Sequence, residues 1–163
     1  MAILKAGDNV PQFSVIDQNG QTFSRESLLG HRTILYFYPK DNTSGCTLEA
    51  QNLRDGREQL ARMGFEIVGV SPDSQKSHQA FACKHSLPFR LLADTEKQLA
   101  SAFGVWAEKK LYGRTYMGIL RTTFIIDAAG RIERVFEKVD TKNHWQQIAE
   151  ACEQAGQNIA TQK

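Results

Sequence analysis

The chain's three cysteines, Cys46, Cys83 and Cys152, carry its readiest redox and nucleophilic chemistry. They are widely spaced, with no Cys-x-x-Cys pair, so neither a zinc knuckle nor a dithiol oxidoreductase site is written here. An odd number without a close pair also speaks against a structural disulfide framework in a reducing compartment. At least one is therefore either packing or a reactive thiol. Cys46 is set apart by its surroundings. The run Tyr36-Phe37-Tyr38-Pro39-Lys40-Asp41-Asn42-Thr43-Ser44-Gly45-Cys46-Thr47-Leu48-Glu49 reads as a buried strand stopped by Pro39, a short loop, and a helix that begins at or beside Cys46. A thiol there sits in the first turn of a helix leaving the carboxyl end of a strand, where open α/β sheets keep their sites.

The free N–H groups and the positive dipole end of a helix start favour an anion. An ordinary thiol, with a pKa of about 8.5, is only ~3% ionised at pH 7. Making such a thiol mostly ionised requires about 3.4 kcal/mol of preference for the anion. A helix dipole supplies ~0.3–2 kcal/mol. A second source is needed, and a nearby guanidinium is the usual candidate.

The elements that must hold this thiol follow from hydrophobic patterning. Strands are expected over 33–38, 65–71 and 89–92. Residues 13–16 and 21–23 flank Asp17-Gln18-Asn19-Gly20, an N-terminal hairpin, and 122–126 and 132–136 flank Asp127-Ala128-Ala129-Gly130, a second one. Helices are expected over 46–63, closed by Gly64, over 74–86, over roughly 95–103, and from near Asn143 to a stop at Gly156. The last repeats Trp145, Ile148, Ala149 and Cys152 on one face, which makes Cys152 a packing residue. This order predicts one domain over 1–163: a three-layer α/β sandwich with a mixed central sheet. A thioredoxin-like arrangement fits, and the pattern alone also admits a flavodoxin-like one.

Pro39, Thr43 and Cys46 spell Pro-x-x-x-Thr-x-x-Cys, which resembles the active-site signature of the peroxiredoxins. With Tyr36-Phe37-Tyr38-Pro39-Lys40, Phe103-Gly104-Val105-Trp106 and Arg121-Thr122-Thr123-Phe124-Ile125-Ile126-Asp127, the chain resembles the peroxiredoxin Q subgroup, the bacterioferritin comigratory proteins, over about 4–148. The resemblance implies a thioredoxin-like fold and reduction of hydrogen peroxide or organic hydroperoxides, with no cofactor and no metal. Cys46 becomes the peroxidatic cysteine, oxidised to a sulfenic acid. Thr43 hydrogen-bonds the thiolate and the peroxide, Pro39 shields the pocket from water, and Arg121 favours the thiolate and holds the peroxide in line. Taken singly, each has a plainer reading. Pro39 ends a strand, Thr43 is a turn residue or cap, and Arg121 is a solvated strand start. Glu49 is a first-turn carboxylate favourable to the dipole, or else orients an arginine.

Some members of the subgroup carry a resolving cysteine five residues after the nucleophile; here that residue is Gln51. Others place it in the helix after the second core strand, which implies Cys83. The helical wheel agrees: His78, Phe81, Ala82 and His85 form the inward stripe, and Cys83 lies ~200° from Phe81, toward solvent. A one-cysteine peroxidase or thiol redox sensor with an incidental Cys83 stays open beside this. A disulfide needs Cα atoms within about 7 Å, so the first turn of the Cys46 helix is expected to unwind after oxidation, eased by Gly45 and Gly56. His78, Cys83 and His85 lie on different helix faces and make a poor metal set. Asn42-Thr43-Ser44 matches a glycosylation acceptor without meaning in a cytosolic protein. The resemblance further implies thioredoxin or a similar dithiol as reductant, and a monomer. The net charge of +2 gives no pull toward nucleic acid or membrane. The N-terminus lacks the pattern of a secretory signal, so a cytoplasmic address is expected.

Overall fold

The computed structural model describes residues 3–161, with side chains through Glu153. In chain order the elements are strands β1 (Ser14–Asp17), β2 (Thr22–Ser24) and β3 (Arg32–Phe37), and helices α1 (Ser44–Asp55) and α2 (Arg57–Arg62). There follow β4 (Phe65–Ser71), α3 (Gln75–Lys84), β5 (Arg90–Ala93) and α4 (Gln98–Ala102). The hairpin β6 (Trp106–Leu111) and β7 (Arg114–Ile119), then β8 (Thr122–Ile126), β9 (Ile132–Phe136) and α5 (His144–Thr161) complete the chain. No described helix is long and apolar enough to cross a membrane.

Seven strands form one sheet in the order β2-β1-β5-β4-β3-β8-β9. β3, β4 and β5 pair in parallel at its centre, while β8 runs antiparallel to β3 and β1 antiparallel to β5. Antiparallel flanks on a parallel centre exclude the all-parallel flavodoxin-like alternative and fit the thioredoxin-like one.

Period-two alternation in the central strands sorts the interior into two cores. Leu35 and Phe37 of β3 join Val68, Leu92, Phe103 and Phe124 on one face. Ile34, Tyr36 and the following Tyr38 join Ile67, Leu91 and Ile125 on the other, under α1, α2, α3 and α5. Cys46, Ala50, Leu53, Phe81 and Ile148 belong to this second core. Cys46 is therefore mounted in the helical layer over this second core.

Three expectations change, and one element was not expected. The helix over 46–63 is two helices, parted at Gly56. A Cβ at Gly56 would collide with the Trp145 ring, so the break is where α5 seats its tryptophan. The helix over 95–103 contracts to α4, because Lys97 takes a left-handed φ of 55° and the Asp94 carboxylate accepts from the Leu99 and Ala100 N–H groups at 3.0 and 2.9 Å. Gly156 does not stop α5, which runs on to Thr161. The β6–β7 hairpin had no expectation at all. It turns on Tyr112 and Gly113, both at positive φ (51° and 77°), the geometry of a type I′ turn.

Candidate active site

β3 ends at Phe37, and Tyr38 still donates its N–H to the Val70 carbonyl at 3.0 Å before half-buried Pro39 turns the chain out of the sheet. The loop enters α1 at Thr43, whose extended backbone (φ −78°, ψ 153°) makes it the N-cap residue. Ser44, Gly45 and Cys46 then occupy the first turn, where no carbonyl within the helix reaches their N–H groups. Thr43 does not cap them with its side chain; its hydroxyl donates to the Lys40 carbonyl at 3.0 Å. Thr43 is thus at the mouth of the helix, but its proton is aimed at Lys40 rather than at the sulfur.

Arg121 stands one residue before β8. Alternation puts 121, 123 and 125 on one face, the face of Ile125 and therefore of Cys46. Its guanidinium passes over Gly45, where a Cβ would lie 3.4 Å from Nη2. Nη2 donates to Cys46 Sγ at 3.2 Å and Nη1 to Glu49 Oε1 at 2.5 Å. Glu49 follows Cys46 by one helical turn, so the two side chains share a face of α1 and one planar fork reaches both. Cys46 is 1% exposed and Glu49 0%. Burial opposes the charge on Arg121, but the neighbouring Glu49 and Cys46 outweigh it and hold the guanidinium firmly protonated. Of the two readings of Glu49, the arginine-orienting one matches this geometry.

Burial pushes the Glu49 carboxyl up to about 7, against the pull of Arg121. The cause is visible in its second oxygen: Oε2 is buried without a hydrogen-bond partner. His144 Nε2 lies 3.8 Å away, beyond hydrogen-bond reach. Burial lowers His144 to about 4, so its ring is neutral at neutral pH. Its Nδ1 donates to Gln147 Oε1 at 2.9 Å, which leaves Nε2 to accept from the Thr123 hydroxyl at 2.8 Å. Nothing in this chain of bonds offers a proton to Glu49 Oε2.

Cys83 lies on α3 with its side chain exposed, while His78 and Phe81 of the same helix are buried and Ala82 and His85 half-buried. The outward orientation read from the wheel is the observed one. Cys152 is half-buried beside the second core, and burial raises its thiol. All three cysteines are free thiols. α1 and α3 meet near the far end of α3: Arg54 donates to the His85 carbonyl at 2.8 Å, and the Gln51 amide nitrogen lies 3.4 Å from His85 Nδ1. Gln51 therefore lies beside the residue that ends the helix carrying Cys83.

Sequence reasoning missed a second polar cluster beside this site, formed by Asp41, Ser77 and His78. A histidine on the apolar stripe of α3 and an aspartate two residues before Thr43 were its traces in the sequence, and neither pointed to the other. Thr123 and His144 left none, because a threonine in a strand and a histidine at a helix start are unremarkable in type.

The model of the AhpC/TSA family matches residues 6–135. Peroxiredoxin Bcp of Bacillus subtilis is 45% identical over 150 residues, covering 92% of this chain and 94% of that one. Peroxiredoxin Bcp of Escherichia coli K12 is 45% identical over 141 residues, covering 86% and 90%. Among solved structures, peroxiredoxin Q of Xanthomonas campestris superposes with a TM-score of 0.82 at 32% identity, over 91% of this chain and 94% of that one. The bacterioferritin comigratory protein of the same organism superposes with a TM-score of 0.83 at 30% identity, over 94% and 97%. A thiol under an arginine fork at a helix start, on this sheet and among these relatives, places the chain in the AhpC/TSA family, in its peroxiredoxin Q group of bacterioferritin comigratory proteins.

Proposed function

We propose that this thiol-dependent peroxidase reduces hydrogen peroxide and organic hydroperoxides through a Cys46 sulfenic acid, which Cys83 resolves as an intramolecular disulfide that thioredoxin then reduces. The Arg121 fork that joins Cys46 Sγ to Glu49 is the observation that carries this reading. A guanidinium hydrogen-bonded to sulfur favours the thiolate and supplies the stabilisation that the helix start alone lacks.

The thiolate attacks one oxygen of the peroxide, an S–O bond forms and the O–O bond breaks. The departing oxygen takes the peroxide's proton and leaves as water or alcohol, while the sulfur is oxidised to sulfenate. Negative charge develops on the departing oxygen, where a fixed donor is worth most. Arg121 is that donor. The Thr43 hydroxyl, once its proton turns from Lys40, is a second one, and Pro39 keeps water from the sulfur. The Xanthomonas campestris bacterioferritin comigratory protein is described for its alkyl peroxide reduction activity, which supports organic hydroperoxides as substrates. The exposed sulfur of Cys83 suits exchange with an outside dithiol. Resolution within one chain requires no second subunit, so a cytoplasmic monomer suits this cycle.

Intact-mass and peptide analysis after one equivalent of peroxide tests nucleophile and resolver together. The wild type is expected to yield a Cys46–Cys83 linked peptide, and Cys83→Ser to stop at oxidised Cys46. A wild type without that peptide is a one-cysteine peroxidase or a redox sensor. Peroxide consumption no faster than that of free cysteine, followed by stopped flow, removes the peroxidase reading.

A further inference from the structure

The loop that leads to Cys46 and the helix that carries Cys83 share a buried polar knot that the peroxide chemistry leaves unused. Asp41 is 4% exposed and His78 0%. A polar ring on the inward stripe of α3 is costly unless hydrogen-bonded. Both of its nitrogens are engaged: Nδ1 lies 2.8 Å from Asp41 Oδ2 and Nε2 lies 2.9 Å from the Leu92 carbonyl. Both partners are acceptors, so the ring meets them as a donor. The Tyr38 hydroxyl donates to Asp41 Oδ1 at 2.6 Å and the Ser77 hydroxyl to Oδ2 at 2.8 Å. The Asp41 N–H donates to Asp73 Oδ2 at 2.8 Å.

The ligand atoms of Asp41, Asp73 and His78 lie within 4.8 Å of one another. Each is already taken by donors or acceptors of the protein, with Ser71 Oγ also bound to Asp73 Oδ2 at 2.5 Å. The cluster is therefore a clasp and not a cation site. It fastens the first turn of α3 to the loop before Thr43, while Arg54 fastens the end of α3 to α1. Between these two ties Cys83 faces solvent and Cys46 faces the core. Two sulfurs so directed meet only when one of the segments moves.

We infer that Asp41 and His78 are positioning residues that hold α3 to the peroxidatic loop, and that release of this clasp limits the step from sulfenic acid to disulfide. The inference rests on Cys83 as the resolving thiol. In that step the sulfenate first takes a proton from solvent to become the sulfenic acid; the Cys83 thiolate then attacks the Cys46 sulfur, an S–S bond forms, and the S–O bond breaks. Hydroxide leaves and takes up the proton that Cys83 gave away, forming water. While the clasp holds, the sulfenate remains beside Arg121 and open to a second peroxide. That peroxide oxidises it to sulfinic acid and is itself reduced to water or alcohol. A tight clasp therefore gives slow resolution and ready overoxidation.

Rapid-mixing kinetics with mass spectrometry tests this, read as the ratio of the disulfide-forming rate to the rate of the first oxidation. His78→Gln keeps a donor toward Leu92 but loses the one toward Asp41. Its ratio is expected to rise about tenfold, the scale of one hydrogen bond to a charged group. Its sulfinic fraction under excess peroxide falls, and amide exchange across residues 75–84 of the reduced protein quickens. His78→Asn restores a donor at the Nδ1 place and is expected within about threefold of wild type. Ser77→Ala removes one bond from the rim of the knot and gives a smaller rise of the same sign, whether or not the histidine variants fold. An unchanged ratio in Ser77→Ala and His78→Gln, or both rates falling together, overturns the inference. Absence of the Cys46–Cys83 peptide from the wild type overturns the resolving role instead. Amide exchange in His78→Gln then still decides the clasp: faster exchange upholds it, and wild-type exchange removes it.

Discussion

Cys46 and Cys83 ride on helices of the same layer, and almost everything about their settings is opposite. Cys46 is buried in the first turn of α1, under a guanidinium that also grips a buried carboxyl. Cys83 is exposed near the end of α3, on the side away from His78 and Phe81. The entry to α1 has no side-chain cap, whereas Ser74 caps α3 by accepting from the Ser77 N–H at 3.2 Å. An uncapped start keeps N–H donors free for an anion at the price of a weaker first turn. A capped helix with an outward thiol keeps its shape and offers its sulfur to others. One region is arranged to stabilise a charge and the other to be reached.

The largest expected effect breaks the electrostatic half. Arg121→Met removes the donor to sulfur and is expected to slow the reaction of reduced protein with peroxide about 10²–10³-fold, the scale of a lost oxyanion donor. Arg121→Lys keeps the charge but loses the fork, and stopped flow should place it nearer to Met than to wild type. A loss of less than tenfold in Arg121→Met would return the arginine to a structural role.

Next comes Glu49. Its carboxyl is pushed from an ordinary 4.5 up to about 7 by burial. The folded protein therefore keeps a proton that the unfolded chain has shed, and stability is lost as pH rises from about 4.5 through about 7. The total is about 3 kcal/mol. Glu49→Gln removes this titration. Urea midpoints across pH 5 to 8 should fall for wild type relative to the variant, and parallel curves would mean that Arg121 holds Glu49 ionised throughout.

These residues differ in how far the sequence exposed them. Cys46 was set apart by a strand end and a helix start, whereas Arg121 and Glu49 stood out only through the family resemblance, each having a plainer reading by itself. Cys83 was legible in orientation, since a helical stripe fixes its own opposite face. The Asp41–His78 knot was not, because its parts lie in a loop and a helix that only the folded sheet brings together. The break at Gly56 depends on Trp145, far along the chain, and no local propensity announces it. The β6–β7 hairpin eluded patterning because most of its residues are exposed and its turn begins on Tyr112, not on the Asn or Asp that usually precede Gly. Thr43 was placed correctly at the helix entrance, but the direction of a hydroxyl depends on a nearby carbonyl, here that of Lys40, which spacing does not reveal.

Accessibility offers a test of intermediate size. In reduced protein a bulky maleimide should modify Cys83 well before Cys46, because one sulfur is exposed and the other 1% exposed. A small alkylating agent should narrow the gap, since it needs less opening to reach a buried thiolate. Equal rates with the bulky reagent would mean that the Cys46 turn opens readily before any oxidation.

The smallest effect sharpens the contrast between the two helix starts. Ser74→Ala deletes the cap of α3 and is expected to lower stability by about 1 kcal/mol. The cap bonds the Ser77 N–H, and the Ser77 hydroxyl in turn bonds Asp41. Fraying should therefore begin in the turn that holds the loop before Thr43. Amide exchange across residues 75–84 should quicken while α1 beyond its first turn keeps its protection. A stability loss shared evenly by α1 and α3 would show that the two helices open as one cooperative unit. Confinement to α3 would show that the helix carrying Cys83 yields first and that the cap of one helix is part of what keeps Cys46 closed.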